Sequence, residues 1–210
     1  MNDMMERLEK IGIIPVVTVE SREQGVRIMN ALKNGGLMAA EVTFRTPAAA
    51  DALQGMKEAC PRALIGAGTI LTTDQVDQAL DAGAEFIVTP GISKKIVNYC
   101  REKRVPVIPG IMTPTELQKA VSLGLDHVKF FPAEAAGGLK TLKAISAPFP
   151  HVRFMPTGGI SLENAKTYLD YDKVYCCGGS WITAGAKKGD YEQVALEAKK
   201  AVTLVEKNLY

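Results

Sequence analysis

No run of about eighteen apolar residues occurs in the chain, so no membrane-spanning helix is expected. An excess of one charge is also missing: 25 Lys and Arg stand against 23 Asp and Glu, a net +2. That balance gives neither a nucleic-acid backbone nor an anionic membrane surface anything to grip. The opening residues, Met1-Asn2-Asp3-Met4-Met5-Glu6-Arg7, are too acidic and too broken for a secretory signal. Cysteine is scarce, and Cys60, Cys100, Cys176 and Cys177 lack the spacing of metal ligands. The adjacent pair would face opposite sides of a strand. Buried, reduced thiols in a cytoplasmic protein are therefore expected. No Gly-x-Gly-x-x-Gly follows the first apolar run, which removes the dinucleotide-binding fingerprint. No linker or low-complexity stretch divides residues 1–210, so one domain is expected.

What is present is a regular alternation. Short apolar runs begin near Ile11, Met38, Leu64, Glu85, Val105, His127, Arg153 and Lys173, at intervals of roughly 20–27 residues. Helical patterns fill the gaps. Ser21 with Gln24, Thr72 with Gln75 and Thr113 with Glu116 have capping-box spacing. Thr46-Pro47 and Thr113-Pro114 place proline at a first helical position. Eight strand–helix units predict a (β/α)8 TIM barrel of the α/β class, small for its kind. Met4, Met5 and Leu8 stand at helical spacing and predict a short helix closing the bottom of the barrel. An open doubly wound sheet shares the alternation and is the structural alternative.

In such a barrel the chemistry lies at the C-terminal ends of the strands. Polar residues that interrupt strands are therefore the informative ones. Asp126-His127-Val128-Lys129-Phe130-Phe131-Pro132 reads as a buried strand carrying a lysine. Burial penalises the ammonium form and favours the neutral, nucleophilic amine, the form that attacks a ketone to give a Schiff base. Ala39-Ala40-Glu41-Val42-Thr43-Phe44-Arg45 alternates so that Ala39, Glu41, Thr43 and Arg45 share the inward face. Strands two and six face each other across a barrel, which lets Glu41 approach Lys129. His127, one layer deeper, reads as a hydrogen-bonded core imidazole. The last two strands end in Pro156-Thr157-Gly158-Gly159 and Cys177-Gly178-Gly179-Ser180. Glycine pairs at these two ends suit phosphate, because backbone N–H groups can close on the oxyanion. Ser180 would add a hydroxyl donor. Thr69 ends its strand as the only polar residue there, a place for ligand contact or for a turn. Thr89-Pro90-Gly91 and Pro109-Gly110 read as tight turns, the second pair more firmly.

These segments resemble one family. Glu41-Val42-Thr43-Phe44-Arg45 is similar to the glutamate motif of the class I aldolases for 2-keto-3-deoxy-6-phosphogluconate (KDPG) and 4-hydroxy-2-oxoglutarate (KHG). Lys129-Phe130-Phe131-Pro132-Ala133-Glu134 is similar to their Schiff-base lysine motif. The threonine-, proline- and glycine-bearing strand ends resemble the family too, in the right order along nearly the whole chain. The resemblance implies a homotrimeric barrel running an aldol cleavage that needs no metal or cofactor. It implies Lys129 as the Schiff-base residue and Glu41 as general acid/base. Arg45, Thr69 and Thr157 would bind the pyruvyl carboxylate half, and Pro90 and Phe131 would line the pocket. Gly158, Gly159, Gly179 and Ser180 would hold the phosphate of a small keto-acid substrate. Glu20 closes the first strand where some relatives carry a basic residue near the substrate, which bears on the distal-group preference. The residues by themselves also fit the epimeric phosphogalactonate substrate, another phosphate-binding barrel isomerase or epimerase, or a keto-acid-binding barrel without turnover.

Overall fold

The computed structural model describes residues 2–206. Helix α1 (Asn2–Ile11) precedes eight strands: β1 (Ile13–Val17), β2 (Ala39–Thr43), β3 (Leu64–Gly68), β4 (Ile87–Thr89), β5 (Val107–Ile111), β6 (His127–Phe130), β7 (Arg153–Pro156) and β8 (Cys177–Gly179). Between them run α2 (Arg22–Asn34), α3 (Ala49–Ala59), α4 (Thr73–Asp81), α5 (Lys94–Glu102), α6 (Pro114–Ser122), α7 (Gly138–Ser146) and α8 (Leu162–Leu169). A 3-10 segment (Trp181–Lys188) and α9 (Tyr191–Glu206) follow β8. All ladders are parallel, in the order β7-β6-β5-β4-β3-β2-β1-β8. Bridges Thr157↔Gly178 and Phe154↔Val174 join β7 to the β8 side and close the ring. The barrel expected from the alternation is present, and the open sheet is not.

Two apolar layers build it, because residues two apart on a strand share a face. Val42, Ile65, Ala67, Ile87, Val128, Phe130 and Phe154 point outward and pack on Leu53, Met56, Val76, Ala79, Leu117 and Ala165 of the helices. Ile14, Ala39, Leu64, Phe86, Val88, Ile108, Met155 and Tyr175 fill the interior together with Met4, Met5 and Leu8 of α1. The N-terminal helix thus plugs the bottom, as its spacing predicts. Arg7–Glu85 (3.1 Å) and Arg153–Glu9 (2.6 Å) tie it to the rim. Cys176 belongs to the inner layer and Cys177 to the outer one, the opposite facing that strand geometry requires. All four thiols are free and buried. Burial pushes the Cys100 thiol up to about 12 and raises Cys176 and Cys177 as well, which keeps them protonated and unreactive.

The caps show where local spacing suffices and where it does not. At α6 the Thr113–Glu116 box is complete: Glu116 N–H donates to Thr113 Oγ1 (3.3 Å) and Thr113 N–H to Glu116 Oε2 (2.9 Å). Pro114 occupies the first helical position. Pro47 does not; α3 begins at Ala49 behind an Ala48 cap without a side-chain bond. Thr46 Oγ1 instead donates to Val19 O (2.6 Å), so that hydroxyl pins the β2–α3 turn to the end of β1. Pro109 and Gly110 also depart from expectation. They lie inside β5, paired with Thr89 and Lys129, where the missing Gly110 side chain admits the Pro90 carbonyl.

Candidate active site

Lys129 and Glu41 meet inside the barrel. Strand β6 alternates Val128 and Phe130 outward with His127 and Lys129 inward, and β2 sends Glu41 inward from the opposite wall. The Lys129 Nζ to Glu41 Oε1 distance is 3.2 Å. Lys129 is 5% exposed and Glu41 0%, so the pair sits below the mouth rather than across it. Among the described residues Glu41 Oε2 is buried without a hydrogen-bond partner. A buried carboxylate oxygen left free is costly, and such atoms call for a functional reason. Nζ also lies 5.2 Å from the Phe131 ring centroid, where the ring face favours a cation, whether ammonium or protonated imine. One proton moved along the 3.2 Å contact turns the ion pair into a neutral amine and a carboxylic acid, the two forms that imine formation consumes.

Other polar groups stand at or just past the neighbouring strand ends. Arg45 lies two residues beyond the end of β2, in the turn, and its Nε donates to Thr69 Oγ1 (3.2 Å). Thr69 has φ 59°, a left-handed conformation that a β-branched residue rarely adopts and that is found at tight turns and at ligand sites. Thr43 Oγ1 donates to Val17 O (3.0 Å). A hydroxyl has one proton, so Thr18 is the donor in its 2.9 Å contact with Thr43 Oγ1. That chain stitches β1 to β2 beside Glu41. Thr157 is buried between β7 and β8, its hydroxyl 3.4 Å from Met155 O. Phe131 and Pro90 lie just past β6 and β4. Ser180 is exposed at the start of the 3-10 segment. Gly158 and Gly159 both have positive φ, 98° and 79°, which only glycine adopts freely. His127 stays out of this set. Its Nδ1 lies 2.8 Å from Asp126 Oδ1 and its ring meets Tyr175 edge-on at 4.9 Å, the structural role expected of it.

A sequence profile of the KDPG and KHG aldolases matches residues 4–196. The chain belongs to the KDPG and KHG aldolase family. It is 43% identical over 204 residues to the 2-dehydro-3-deoxy-phosphogluconate aldolase of Treponema pallidum, covering 96% of this chain and 97% of that one. The fold superposes on the Zymomonas mobilis 2-keto-3-deoxy-6-phosphogluconate aldolase with 3-phosphoglycerate at a TM-score of 0.90, with 39% identity and 95% of each chain covered. It is similar also to a Legionella pneumophila KDPG aldolase with pyruvate captured as a covalent carbinolamine, at TM-score 0.89, 37% identity, and 93% and 96% coverage. Like these relatives, this aldolase is a carbon–carbon lyase on a (β/α)8 scaffold. Among the described residues no group of three or more His, Cys, Asp or Glu side chains could hold a metal ion.

Glycines that shape the aldolase pocket escaped the sequence reading. A Cβ on Gly68 would collide with the Glu41 carboxylate, and one on Gly66 with the Phe86 ring. Gly110 leaves room for the Pro90 carbonyl. The signal was Gly66-x-Gly68 on one strand face, an inward face that carries no side chain beyond Leu64. Gly68→Ala is therefore expected to fold but to lose about 100-fold in kcat, since a displacement of about 1 Å at a reacting group costs that much. Steady-state rates beside a thermal melt check it; a variant near wild-type rate would remove Gly68 from the account.

Proposed function

We propose that this protein is a class I aldolase cleaving 2-keto-3-deoxy-6-phosphogluconate to pyruvate and glyceraldehyde 3-phosphate through a Schiff base on Lys129. The observation that carries this reading is the buried Lys129–Glu41 contact of 3.2 Å with Glu41 Oε2 left free. In the resting pair Glu41 takes the Lys129 proton, and the neutral amine adds to the C2 ketone. The carboxylic acid returns that proton to the carbinolamine oxygen. Water leaves, and a protonated imine remains. Glu41, now a carboxylate, removes the C4 hydroxyl proton. The C3–C4 electrons pass into the imine, the aldehyde departs, and an enamine remains. Protonated Glu41 delivers its proton to C3, and hydrolysis of the imine releases pyruvate and Lys129.

Arg45, steadied by Thr69, matches a carboxylate with its planar fork and so selects an α-keto acid. Thr157 supports the same half, and Pro90 and Phe131 shape the pocket wall. The glycine turn Gly158-Gly159, with Gly179 and Ser180, takes the phosphate. The same 4-hydroxy-2-oxo acid pattern occurs in 4-hydroxy-2-oxoglutarate, which would give pyruvate and glyoxylate. A homotrimer is proposed from family likeness; exposed Leu71 (59%) and Met112 (44%), just past β3 and β5, supply apolar rim for a subunit contact. Among the described residues no helix is long and apolar enough to cross a membrane, and a cytoplasmic setting is proposed.

The test is pyruvate with borohydride followed by proteolysis and mass analysis, together with pyruvate release from the gluconate-derived, galactonate-derived and oxoglutarate substrates. The expected adduct falls on the peptide carrying Lys129, and chelator leaves the rates unchanged. An adduct elsewhere, or none, overturns the assignment.

A further inference from the structure

We propose that Glu134 and Tyr168 brace the Gly158-Gly159 turn in the shape a phosphate group needs, and are positioning residues for the phosphorylated end of the substrate. The inference rests on the aldolase reading above. Glu134 lies in the loop that leads from β6 and Lys129 to α7. Its N–H donates to Gly158 O (3.0 Å), and the neighbouring Ala133 N–H donates to Thr157 O (2.8 Å). Its side-chain stem packs against Gly159 so closely that a Cβ there would lie 2.6 Å from Glu134 Cβ. Its carboxylate then accepts a hydrogen bond from the hydroxyl of Tyr168. Tyr168 is 2% exposed on α8, the helix that follows the glycine turn. Burial, and then the adjacent Glu134, push the Tyr168 hydroxyl up, so it stays a donor.

The other side of the turn is held as well. Asn164 Nδ2 donates to Gly159 O (3.0 Å), while Asn164 Oδ1 accepts from Ser161 N–H (2.8 Å). Both turn carbonyls are thus engaged. Among the described residues the N–H groups of Gly159, Ile160 and Ser180 find no acceptor. Successive N–H groups on left-handed residues form an anion-binding concavity. Two glycines in sequence do not hold that shape unaided, because they have the largest conformational freedom of any residues. A carboxylate beside an anion site is unfavourable by charge. The Tyr168 bond ties that carboxylate to α8 while its backbone and stem clamp the turn. The brace also links the turn to the Lys129 loop, coupling the phosphate end to the reacting end.

The measurement is the aldol direction, with pyruvate and either glyceraldehyde 3-phosphate or unphosphorylated glyceraldehyde. Tyr168→Phe is expected to lower the kcat/KM preference for the phosphorylated aldehyde roughly 3- to 10-fold, about the loss of one hydrogen bond's ordering. The change falls on its KM, glyceraldehyde kinetics stay within about twofold, and inhibition by inorganic phosphate weakens in step. Glu134→Gln, which keeps an acceptor for Tyr168, retains the preference; Glu134→Ala loses it. Equal losses on both aldehydes with a lowered melting temperature would mean a structural role only and overturn the proposal, as would an unchanged preference. A wild-type protein that traps no pyruvate on Lys129 fails the aldolase reading itself, separately from the brace.

Discussion

Lys129→Met is expected to give no pyruvate adduct with borohydride and a kcat lower by about 10^4- to 10^6-fold, the scale seen when a covalent nucleophile is removed. Methionine keeps the length and apolar stem, so β6 retains its packing between the two apolar layers. What changes is charge: Glu41, 0% exposed, loses its cation. Breaking a buried ion pair by removing one partner costs about 3–5 kcal/mol. For a chain of this size that lowers Tm by roughly 6–20 °C. Mass analysis after trapping, steady-state rates and a melt measure the three effects. Residual cleavage within a hundredfold of wild type would show that another group is the nucleophile.

Glu41→Gln separates the second role from the first. The amide still accepts from Lys129 Nζ across the 3.2 Å contact, but it takes no proton. Imine formation slows, because the amine is no longer relieved of its proton inside the pocket. The C4 hydroxyl proton has no base, and kcat falls about 10^2- to 10^4-fold. The trapped adduct still forms on Lys129, given time. A pyruvate adduct with near-absent cleavage assigns Glu41 to proton transfer; cleavage within tenfold of wild type removes it from the mechanism. Both variants are read on pyruvate and on a full-length substrate, since pyruvate needs only the imine steps.

The alternation of eight strands was legible because strand and helix periods are local properties of a few residues. So were the inward positions of Glu41, Thr43 and Lys129, which follow from a period of two. The apolar partners Val42 and Phe130 identify the outward face without further information. Less accessible was anything set by shape at a distance. Gly68 carries no signal of its own along the chain, yet its missing side chain is the space that the Glu41 carboxylate occupies. Gly110 reads as a turn and lies inside a strand, because its role is to admit the Pro90 carbonyl. Pro47 looked like a helix start until Thr46 found the Val19 carbonyl on a neighbouring strand. Glu134 has no local role in the segment that follows Lys129, and its partner Tyr168 stands on the distant α8.

The order of residues along the chain decided the fold class, the faces of the strands and the candidate chemistry of Lys129. Each follows from backbone periodicity and side-chain type within a window of a few positions. Closure of the barrel decided the rest. It brought Glu41 within 3.2 Å of a lysine 88 positions away, and it set the depth of that pair below the mouth. It also left Glu41 Oε2 without a partner and stood a buried tyrosine behind the glycine turn. Those are relations between opposite walls, and a local pattern carries no distance between segments that meet only when the ring is shut.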